Sequence, residues 1–238
     1  GGGSAVGAVN MTTDESLILY AAGYDTDNNY LSDIDGNWSV TGSLDGIASS
    51  GISIEFSPST SSTSGTIVVS GTGVTSDATG TVTVGTGVLD QIIIRDGSGG
   101  SGSEVETLSL TTDETHAMYM AGYDQDNNYI RDVNVLWTVQ GDIGTISTGT
   151  SYSSSTIFTA TMIGTGTVQA DTSTFQDQTG IISISGGALS YLLIRDEANG
   201  GGSAVGAVNM TTDESLILYA AGYDTDNNYL SDIDGNWS

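Results

Sequence analysis

The chain contains the same 39-residue sequence twice. Residues 1–39 recur without change as residues 200–238, an offset of 199 residues. A diverged copy lies between them, because residues 12–40 align with residues 111–139 at an offset of 99. Internal self-similarity at a fixed period is typical of tandem arrays, and about 100 residues is the usual size of one small domain. The sequence therefore predicts successive domains of one fold, in two variants that alternate.

Short runs of apolar residues predict strands in each repeat. In the first repeat these runs are residues 17–22, 37–40, 52–56, 66–70 and 81–84, and in the second they include Trp137 and residues 156–160, 167–170 and 181–185. No stretch keeps a 3.6-residue period, and the glycine, serine and threonine content opposes helix. About seven short strands per repeat, with a core tryptophan on an early strand, indicate an all-β chain of immunoglobulin-like sandwiches.

The residues around Trp38 resemble the bacterial Ig-like (BIG) module. That family shows an apolar strand ending in Ala/Gly, a short Asp/Gly turn, an Asp-Val-Thr-like step and then Trp-Ser. These features are matched by residues 22–24, 25–29, 33–34 and 38–39, and again by residues 121–123, 124–128, 132–133 and 137–138. The resemblance implies that residues 89–95 and 189–195 form the first strand of the following domain. Most members of the family act as spacers in surface proteins.

These observations predict tandem immunoglobulin-like β-sandwich domains in a linear array. The expected domains are residues 1–87, whose first strand could lie outside the sequence, residues 88–187, and residues 188–238, a partial domain that starts the next 199-residue repeat. We refer to them as the first, second and third repeats. The glycine-rich runs near residues 97–102 and 199–202 are interpreted as linkers that act as hinges.

The charge balance excludes several classes of function. Three arginines and no lysine stand against 29 acidic residues, for a formal net charge of −26. Nucleic-acid binding needs clustered cations, and so does docking on an anionic membrane surface. Without lysine the chain cannot form a lysine–asparagine isopeptide bond. Without cysteine it has neither disulfides nor thiolate metal ligands.

An acidic motif recurs in the turn that follows the first apolar strand. Oxygen ligands at alternate positions suit calcium, but an EF-type loop needs glycine at its sixth position, where Tyr30 stands, and an acid at its twelfth, where Gly36 stands. Two interpretations remain open: a hairpin turn with solvated acids, and a calcium site of another kind. The candidate ligands are Asp25, Asp27, Asn29 and Asp33, and Asp124, Asp126, Asn128 and Asp132.

Other candidate sites are few. The sequons at Asn10 and Asn37, repeated at Asn209 and Asn236, are candidate glycosylation sites. The single histidine, His116, occupies a position where the first repeat has Leu17, so it is expected to pack rather than to act as a base. The tyrosines beside the acidic turn are expected to bracket a hairpin, with a sugar-stacking platform as the alternative.

The sequence predicts a structural protein without enzymatic activity. The leading hypothesis is a repeat segment of an extracellular filament, stalk or giant surface protein, located outside the cell or on its surface. The alternative is a calcium-dependent adhesin or carbohydrate-binding module. The expected partners are neighbouring copies of the chain, through tandem contacts, filament contacts or strand exchange, and cell-surface glycans under the alternative. Neither nucleic acid nor membrane insertion is expected.

Overall fold

The computed structural model describes residues 3–238, and these residues contain β-strands and no α-helix. This confirms the all-β prediction. The chain divides into two compact units. The first unit comprises the residues up to Gln91 together with Gly122–Arg131, and the second comprises Ile92–Ala121 together with Asp132–Ser238.

The first repeat folds as a sandwich whose sheets share one core. Met11, Trp38, Phe56 and Val84 come from three of the sheets and are buried in a single cluster. The strands are β1 (Val9–Thr12), β2 (Leu17–Tyr20), β3 (Ala22–Tyr24), β4 (Tyr30–Asp33), β5 (Gly36–Val40), β6 (Ser50–Gly51), β7 (Ser53–Phe56), β8 (Thr63–Gly65), β9 (Ile67–Ser70), β10 (Asp77–Ala78) and β11 (Val82–Gly85). The sheet orders are β1-β11-β8, β10-β9-β5-β6, β2-β7 and β3-β4.

The second repeat has the strand order of an immunoglobulin sandwich. Its strands are β12 (Gln91–Arg95), β13 (Leu108–Thr111), β14 (Thr115–Tyr123), β15 (Tyr129–Asp132), β16 (Leu136–Gln140), β17 (Gly144–Ile146), β18 (Ser155–Ala160), β19 (Gly164–Asp171), β20 (Gln176–Gln178) and β21 (Ile182–Ser185). One sheet has the order β12-β14-β18-β17, and the other has the order β13-β21-β19-β16. With β13 as a continuation of the first strand, and β15 and β20 as additions, these are the ABED and CFG sheets of the immunoglobulin fold.

A buried tryptophan anchors each of these two sandwiches, as predicted. Trp38 on β5 donates from its indole nitrogen to the carbonyl of Gly51 at 2.8 Å, and Trp137 on β16 donates to the carbonyl of Ser153 at 2.9 Å. Both rings are buried, so the single polar atom of each ring finds a partner inside the core. The last strand of each sandwich alternates buried and exposed residues, as a half-buried strand requires.

The glycine-rich run of the second repeat is a folded loop. It connects β12 in one sheet to β13 in the other, so it lies inside the sandwich unit and not between repeats. The Arg95 guanidinium donates to the carbonyl of Gly102 at 2.6 Å, and the Asp96 carboxylate accepts from the amide of Ser103 at 2.6 Å. Gly99, with φ of 65°, lies in the left-handed region that glycine tolerates. The prediction of a hinge here is therefore wrong.

The third repeat forms the sheet β22-β23-β24 from β22 (Tyr191–Arg195), β23 (Tyr219–Tyr223) and β24 (Tyr229–Asp232). The strands β12 and β22 confirm that the segments 89–95 and 189–195 supply the first strand of the repeat that follows them. Positions equivalent to β1 and β5 are not strands in the described part of this repeat, although their sequence is identical. In the first repeat those strands pair with β11 and β9, which have no counterparts here among the described residues.

Candidate functional site

The acidic motif forms the tip of a β-hairpin in every repeat. In the first repeat the tip joins β3 to β4, and Asn28 takes a left-handed φ of 62°. The Asp25 carboxylate accepts hydrogen bonds from the backbone amides of Asp27 at 2.9 Å and Asn29 at 2.8 Å. These bonds stabilise the turn, because an aspartate side chain commonly accepts hydrogen bonds from the backbone of its own turn. The prediction of a turn is confirmed.

In each hairpin, two tyrosines on adjacent strands pack against each other. Tyr24 and Tyr30 are register partners on adjacent strands, and their rings meet edge to face. The ring centroids lie 5.9 Å apart in Tyr24–Tyr30, 6.0 Å in Tyr123–Tyr129 and 5.9 Å in Tyr223–Tyr229. This edge-to-face geometry is the favoured one for aromatic pairs. The tyrosines therefore bracket the hairpin, as the sequence predicted.

The hairpin of the second repeat belongs to the first compact unit, where Asp124 lies fully buried. One oxygen of its carboxylate, Oδ2, accepts from the hydroxyl of Thr13 at 2.8 Å and from the amide of Gly87 at 2.9 Å. The other oxygen, Oδ1, accepts from the amide of Asn128 at 2.8 Å. The carboxylate thus ties the hairpin to two separate segments of the first repeat.

Asn128 adds a second attachment in the same hairpin. Its side-chain amide donates to the carbonyl of Ser59 at 2.9 Å, and its side-chain oxygen accepts from the amide of Ser61 at 3.0 Å. The same amide also donates to both oxygens of Asp124. We call Thr13, Gly87, Asp124 and Asn128 the first clamp.

The same arrangement recurs in the second compact unit. The hydroxyl of Thr112 donates to Oδ2 of Asp224 at 2.7 Å, and the amide of Gly187 donates to the same oxygen at 3.3 Å. The side-chain amide of Asn228 donates to the carbonyl of Thr161 at 3.0 Å. We call Thr112, Gly187, Asp224 and Asn228 the second clamp. Three of its members lie 100 residues, and one lies 99 residues, after their counterparts in the first clamp.

A second carboxylate binds beside each clamp. The amide of Val88 donates to Asp14 at 2.6 Å, so two successive amides, of Gly87 and Val88, hold two carboxylates. The counterpart of Asp14 is Asp113, which accepts from Ala188 at 2.7 Å. A Cβ on Gly87 would lie 2.4 Å from the nearer oxygen of Asp14. A side chain at this position would therefore require the Asp14 carboxylate to move.

The clamp carboxyls are ionised at neutral pH. Burial raises the pKa of Asp124, but hydrogen bonds from Gly87, Asn128 and Thr13 outweigh it and hold the pKa below its usual value. Burial likewise raises the pKa of Asp224, and bonds from Thr112 and Asn228 are foremost among those that lower it below the usual value. The donors to Asp124 and Asp224 described above are neutral hydroxyls and amides. Hydrogen bonds therefore stabilise each buried carboxylate.

The first repeat carries the same hairpin in an exposed form. Tyr24 is 49% exposed, whereas Tyr123 and Tyr223 are each 7% exposed. Asp25 has the bonds that close its own turn, but no clamp threonine contacts it among the described residues. The near-identical turns therefore differ in environment because the second and third follow another repeat in the chain.

The predicted calcium ligands come together only in part. Asp25, Asp27 and Asn29 share one turn, whereas Asp33 lies on β4 and accepts from the hydroxyl of Tyr30 at 3.1 Å. In the second repeat Asp124, Asp126 and Asn128 share the turn, and Asp132 accepts from the amide of Gly99. Across residues 3–238, no group of three or more histidine, aspartate or glutamate side chains is placed to hold a metal ion. The calcium site remains a prediction.

The remaining candidates lie on strands. Asn10 on β1 and Asn37 on β5 are both exposed, while the neighbouring Trp38 points into the core. Glycosylation at these asparagines remains a prediction. His116 on β14 is half-buried opposite Phe158, which agrees with the expectation that it packs within the strand.

The clamp threonines and glycines were not singled out from the sequence. A signal for them exists, because Thr-Thr-Asp-Glu recurs at residues 12–15, 111–114 and 211–214. The glutamate of each run accepts from the amide of its first threonine, at 2.8 Å for Glu15 and 2.7 Å for Glu114. The second threonine is the clamp residue Thr13 or Thr112. The pattern marks the right segment, but not which residue it contacts about 100 positions further along.

No protein-family model matches the chain, and no curated protein matches it. Solved structures with similar folds include the S-layer protein rSbsC(31-844), with 14% identity and a TM-score of 0.29 over 94% of this chain and 32% of that one. The Escherichia coli adhesin FdeC has 13% identity and a TM-score of 0.39 over 90% and 74%. Tandem Ig repeats of Dlar have 8% identity and a TM-score of 0.23 over 77% and 95%.

The chain thus spans about a third of the S-layer structure it resembles. At TM-scores this low, the immunoglobulin-like assignment rests on the strand order of the second repeat. Among the residues from 3 onwards, no helix is long and apolar enough to cross a membrane.

Proposed function

We propose that the chain is a structural, non-catalytic repeat segment of an extracellular filament, stalk or giant surface protein, built from modules of the BIG type. The observation that carries this proposal is the recurrence of the clamp. Asp124 and Asp224 are both fully buried, and each accepts from a threonine hydroxyl and a glycine amide of the preceding repeat.

A repeating joint of this kind is what a load-bearing array needs. Burying a carboxylate costs free energy unless its oxygens accept hydrogen bonds. If the hairpin separates from the preceding repeat, the carboxylate, the threonine hydroxyl and the glycine amide all lose their partners at once. Each repeat therefore resists separation from the one before it. The joint depends on neutral donors and not on salt bridges, so high salt screens it little.

The charge supports the same role. With a formal net charge of −26, copies of the chain repel one another at long range, which keeps an extended assembly soluble. The mostly uncharged polar surface between the acids suits a spacer. His116, the single histidine of the sequence, lies half-buried in a strand opposite the buried Phe158, an environment that suits packing.

Immunogold labelling of intact source cells tests the proposal. Antibodies raised against the chain are applied without permeabilisation, beside antibodies against a cytosolic protein as the control. We expect surface or filament labelling by the first antibody alone. Labelling that appears only after permeabilisation would overturn the surface role.

A further inference from the structure

In each sandwich an early strand pairs in parallel with the last strand. In the first repeat these strands are β1 and β11, which pair from Val9 opposite Val82 to Thr12 opposite Gly85. In the second repeat they are β13 and β21. We call each of these two strand pairs a terminal pair, because its later strand leads directly into the next repeat.

Tension along the chain loads a terminal pair in shear. The chain enters β1 at Val9 and leaves β11 at Gly85, which lie at opposite ends of two parallel strands. Tension therefore pulls the two strands past each other in opposite directions. The hydrogen bonds of a parallel pair are evenly spaced, so they share this load and have to break together. A pair pulled apart from one end loses its bonds one after another.

The first clamp bridges the two strands of the first terminal pair. Thr13 directly follows β1, and Gly87 lies two residues after the end of β11. Both donate to the same oxygen, Oδ2 of Asp124, at 2.8 Å and 2.9 Å. When β1 and β11 slide past each other, Thr13 and Gly87 move apart, and at least one of these bonds has to break. A carboxylate of the second repeat thus crosslinks the terminal pair of the first repeat.

The second terminal pair is bridged in the same way. Thr112 directly follows β13, and Gly187 lies two residues after the end of β21. Both donate to Oδ2 of Asp224, at 2.7 Å and 3.3 Å, and the amide of Gly187 also donates to the hydroxyl of Thr112 at 2.8 Å. The bridge is therefore common to both variants of the repeat.

The bridge lies where water cannot readily replace it. Thr13 is 6% exposed, and Asp124 is fully buried. A buried carboxylate that loses its donors pays the cost of desolvation until water reaches it, and hydrogen bonds to a charged group are stronger than those between neutral groups. These two bonds therefore add substantially to the resistance of the short strand pair beside them.

We propose that each repeat locks the terminal pair of the repeat before it, and so sets the tension that the preceding repeat withstands. The dependence has a direction, because the hairpin of Asp124 joins β14 to β15, and neither strand belongs to the terminal pair of the second repeat. When a repeat unfolds under tension, the repeat before it loses its lock. This inference rests on the proposed structural role, since tension reaches a repeat only in an anchored assembly.

The unfolding rate at constant tension tests the lock, because forced unfolding is governed by that rate. The native chain has no cysteine, so Gly3→Cys and Asp90→Cys can attach the full chain to the handles of an optical trap. Both positions are exposed, and nothing lies within 4 Å of a Cβ at Gly3. Gly3 precedes β1 and Asp90 follows β11, so the tension crosses the first terminal pair in shear.

We expect Asp124→Ala to raise the unfolding rate at a given tension about tenfold or more. Asp25→Ala is the matched control, because it removes the equivalent bonds within a turn of the pulled repeat but bridges no terminal pair. Its effect should be clearly smaller. Thr13→Val removes the hydroxyl and keeps the backbone bond to Gly85. If the lock acts through this hydroxyl, the effects of Thr13→Val and Asp124→Ala are not additive.

Phe56→Leu separates the lock from general stability. Phe56 on β7 is 1% exposed, so this substitution lowers the free energy of unfolding measured in urea. Its packing persists until the terminal pair has parted, so we expect little change in the rate under tension. An unchanged rate in Asp124→Ala, or an equal increase in Phe56→Leu, would overturn the proposal. Either result leaves the surface role intact, because that role is tested by labelling of cells.

Discussion

The hydroxyl of Thr13 donates a 2.8 Å hydrogen bond to the carboxylate of Asp124, which lies 111 residues further along the chain. Both side chains are buried. Thr13 directly follows the first strand of the first repeat, and Asp124 opens the hairpin turn of the next one. Thr112 and Asp224 repeat this relationship at 2.7 Å. A buried hydrogen bond between a threonine and an aspartate therefore links each repeat to the one that follows it in the chain.

Removing the clamp carboxylate should destabilise the first unit. Asp124→Ala leaves the hydroxyl of Thr13 and the amides of Gly87 and Asn128 without their acceptor, and we expect a loss of about 3 kcal/mol in the free energy of unfolding. Urea denaturation followed by circular dichroism measures it. Asp25→Ala is the matched control in the exposed hairpin, and its loss should be clearly smaller. Equal losses would show that the turn, and not the clamp, is what the aspartate stabilises.

The close approach of Asp14 to Gly87 makes a second prediction. In Gly87→Ala the new Cβ would lie 2.4 Å from an oxygen of Asp14, so the carboxylate has to move and gives up its bond to Val88. We expect a loss of about 1–2 kcal/mol in stability. Gly46→Ala is the control, because nothing lies within 4 Å of a Cβ at that exposed position. A loss at Gly46 as large as at Gly87 would contradict the steric explanation.

The hairpins and the core could be predicted from the sequence because their causes are local. Asp25 and Asn29 close the turn within five residues, and Tyr24 meets Tyr30 on the adjacent strand. Trp38 lies in a short strand whose alternation already points it inward. Strand period and turn chemistry are readable from a single sequence.

The clamp could not be predicted because its cause is not local. The turns that begin at Asp25 and Asp124 differ by one residue, threonine or glutamine, yet Asp25 is half-buried and Asp124 is fully buried. What distinguishes them is a repeat that precedes the second hairpin. The third repeat shows the same dependence on distant residues. Trp237 is the counterpart of Trp38, but it is exposed because the described part of the third repeat contains no equivalent of the strands that cover Trp38.

The clamp also predicts how stability depends on pH. The pKa values of Asp124 and Asp224 are lower in the folded chain than usual, because hydrogen bonds outweigh the burial that raises them. A lowered folded pKa stabilises the fold above the unfolded pKa of about 3.9, and this contribution is lost as the pH falls through the folded pKa. We expect the melting temperature to drop below about pH 4.

The double variant Asp124→Asn with Asp224→Asn serves as the control for that titration. Its amides carry no titratable proton, so calorimetry should show a lower melting temperature at neutral pH and a smaller drop in acid. An acid-induced drop as large as that of the native chain would assign the titration to other carboxyls.

Cation binding separates the two interpretations of the acidic turn. Both oxygens of the Asp124 carboxylate already accept hydrogen bonds, from Thr13 and Gly87 on one side and Asn128 on the other. We therefore expect calcium and magnesium to raise the melting temperature equally, through screening of the −26 charge. The exposed Asp126 provides the control variant, Asp126→Asn. A rise specific to calcium that disappears in this variant would instead establish the calcium site predicted from the sequence.

Hydrogen exchange can show directly that the 39-residue sequence needs a partner to form strands. Digestion gives the same peptides from residues 1–39 and 200–238, so one mass spectrum reports both copies. Amides of β1 are held by pairing with β11, whereas residues 208–211 form no strand. Amides without stable partners exchange fast, so peptides spanning Val9 to Thr12 should show two isotope populations of equal size in dilute solution. A single protected population would mean that residues 208–211 are ordered without the partner strands that hold β1, because local sequence alone would then suffice to form the strand.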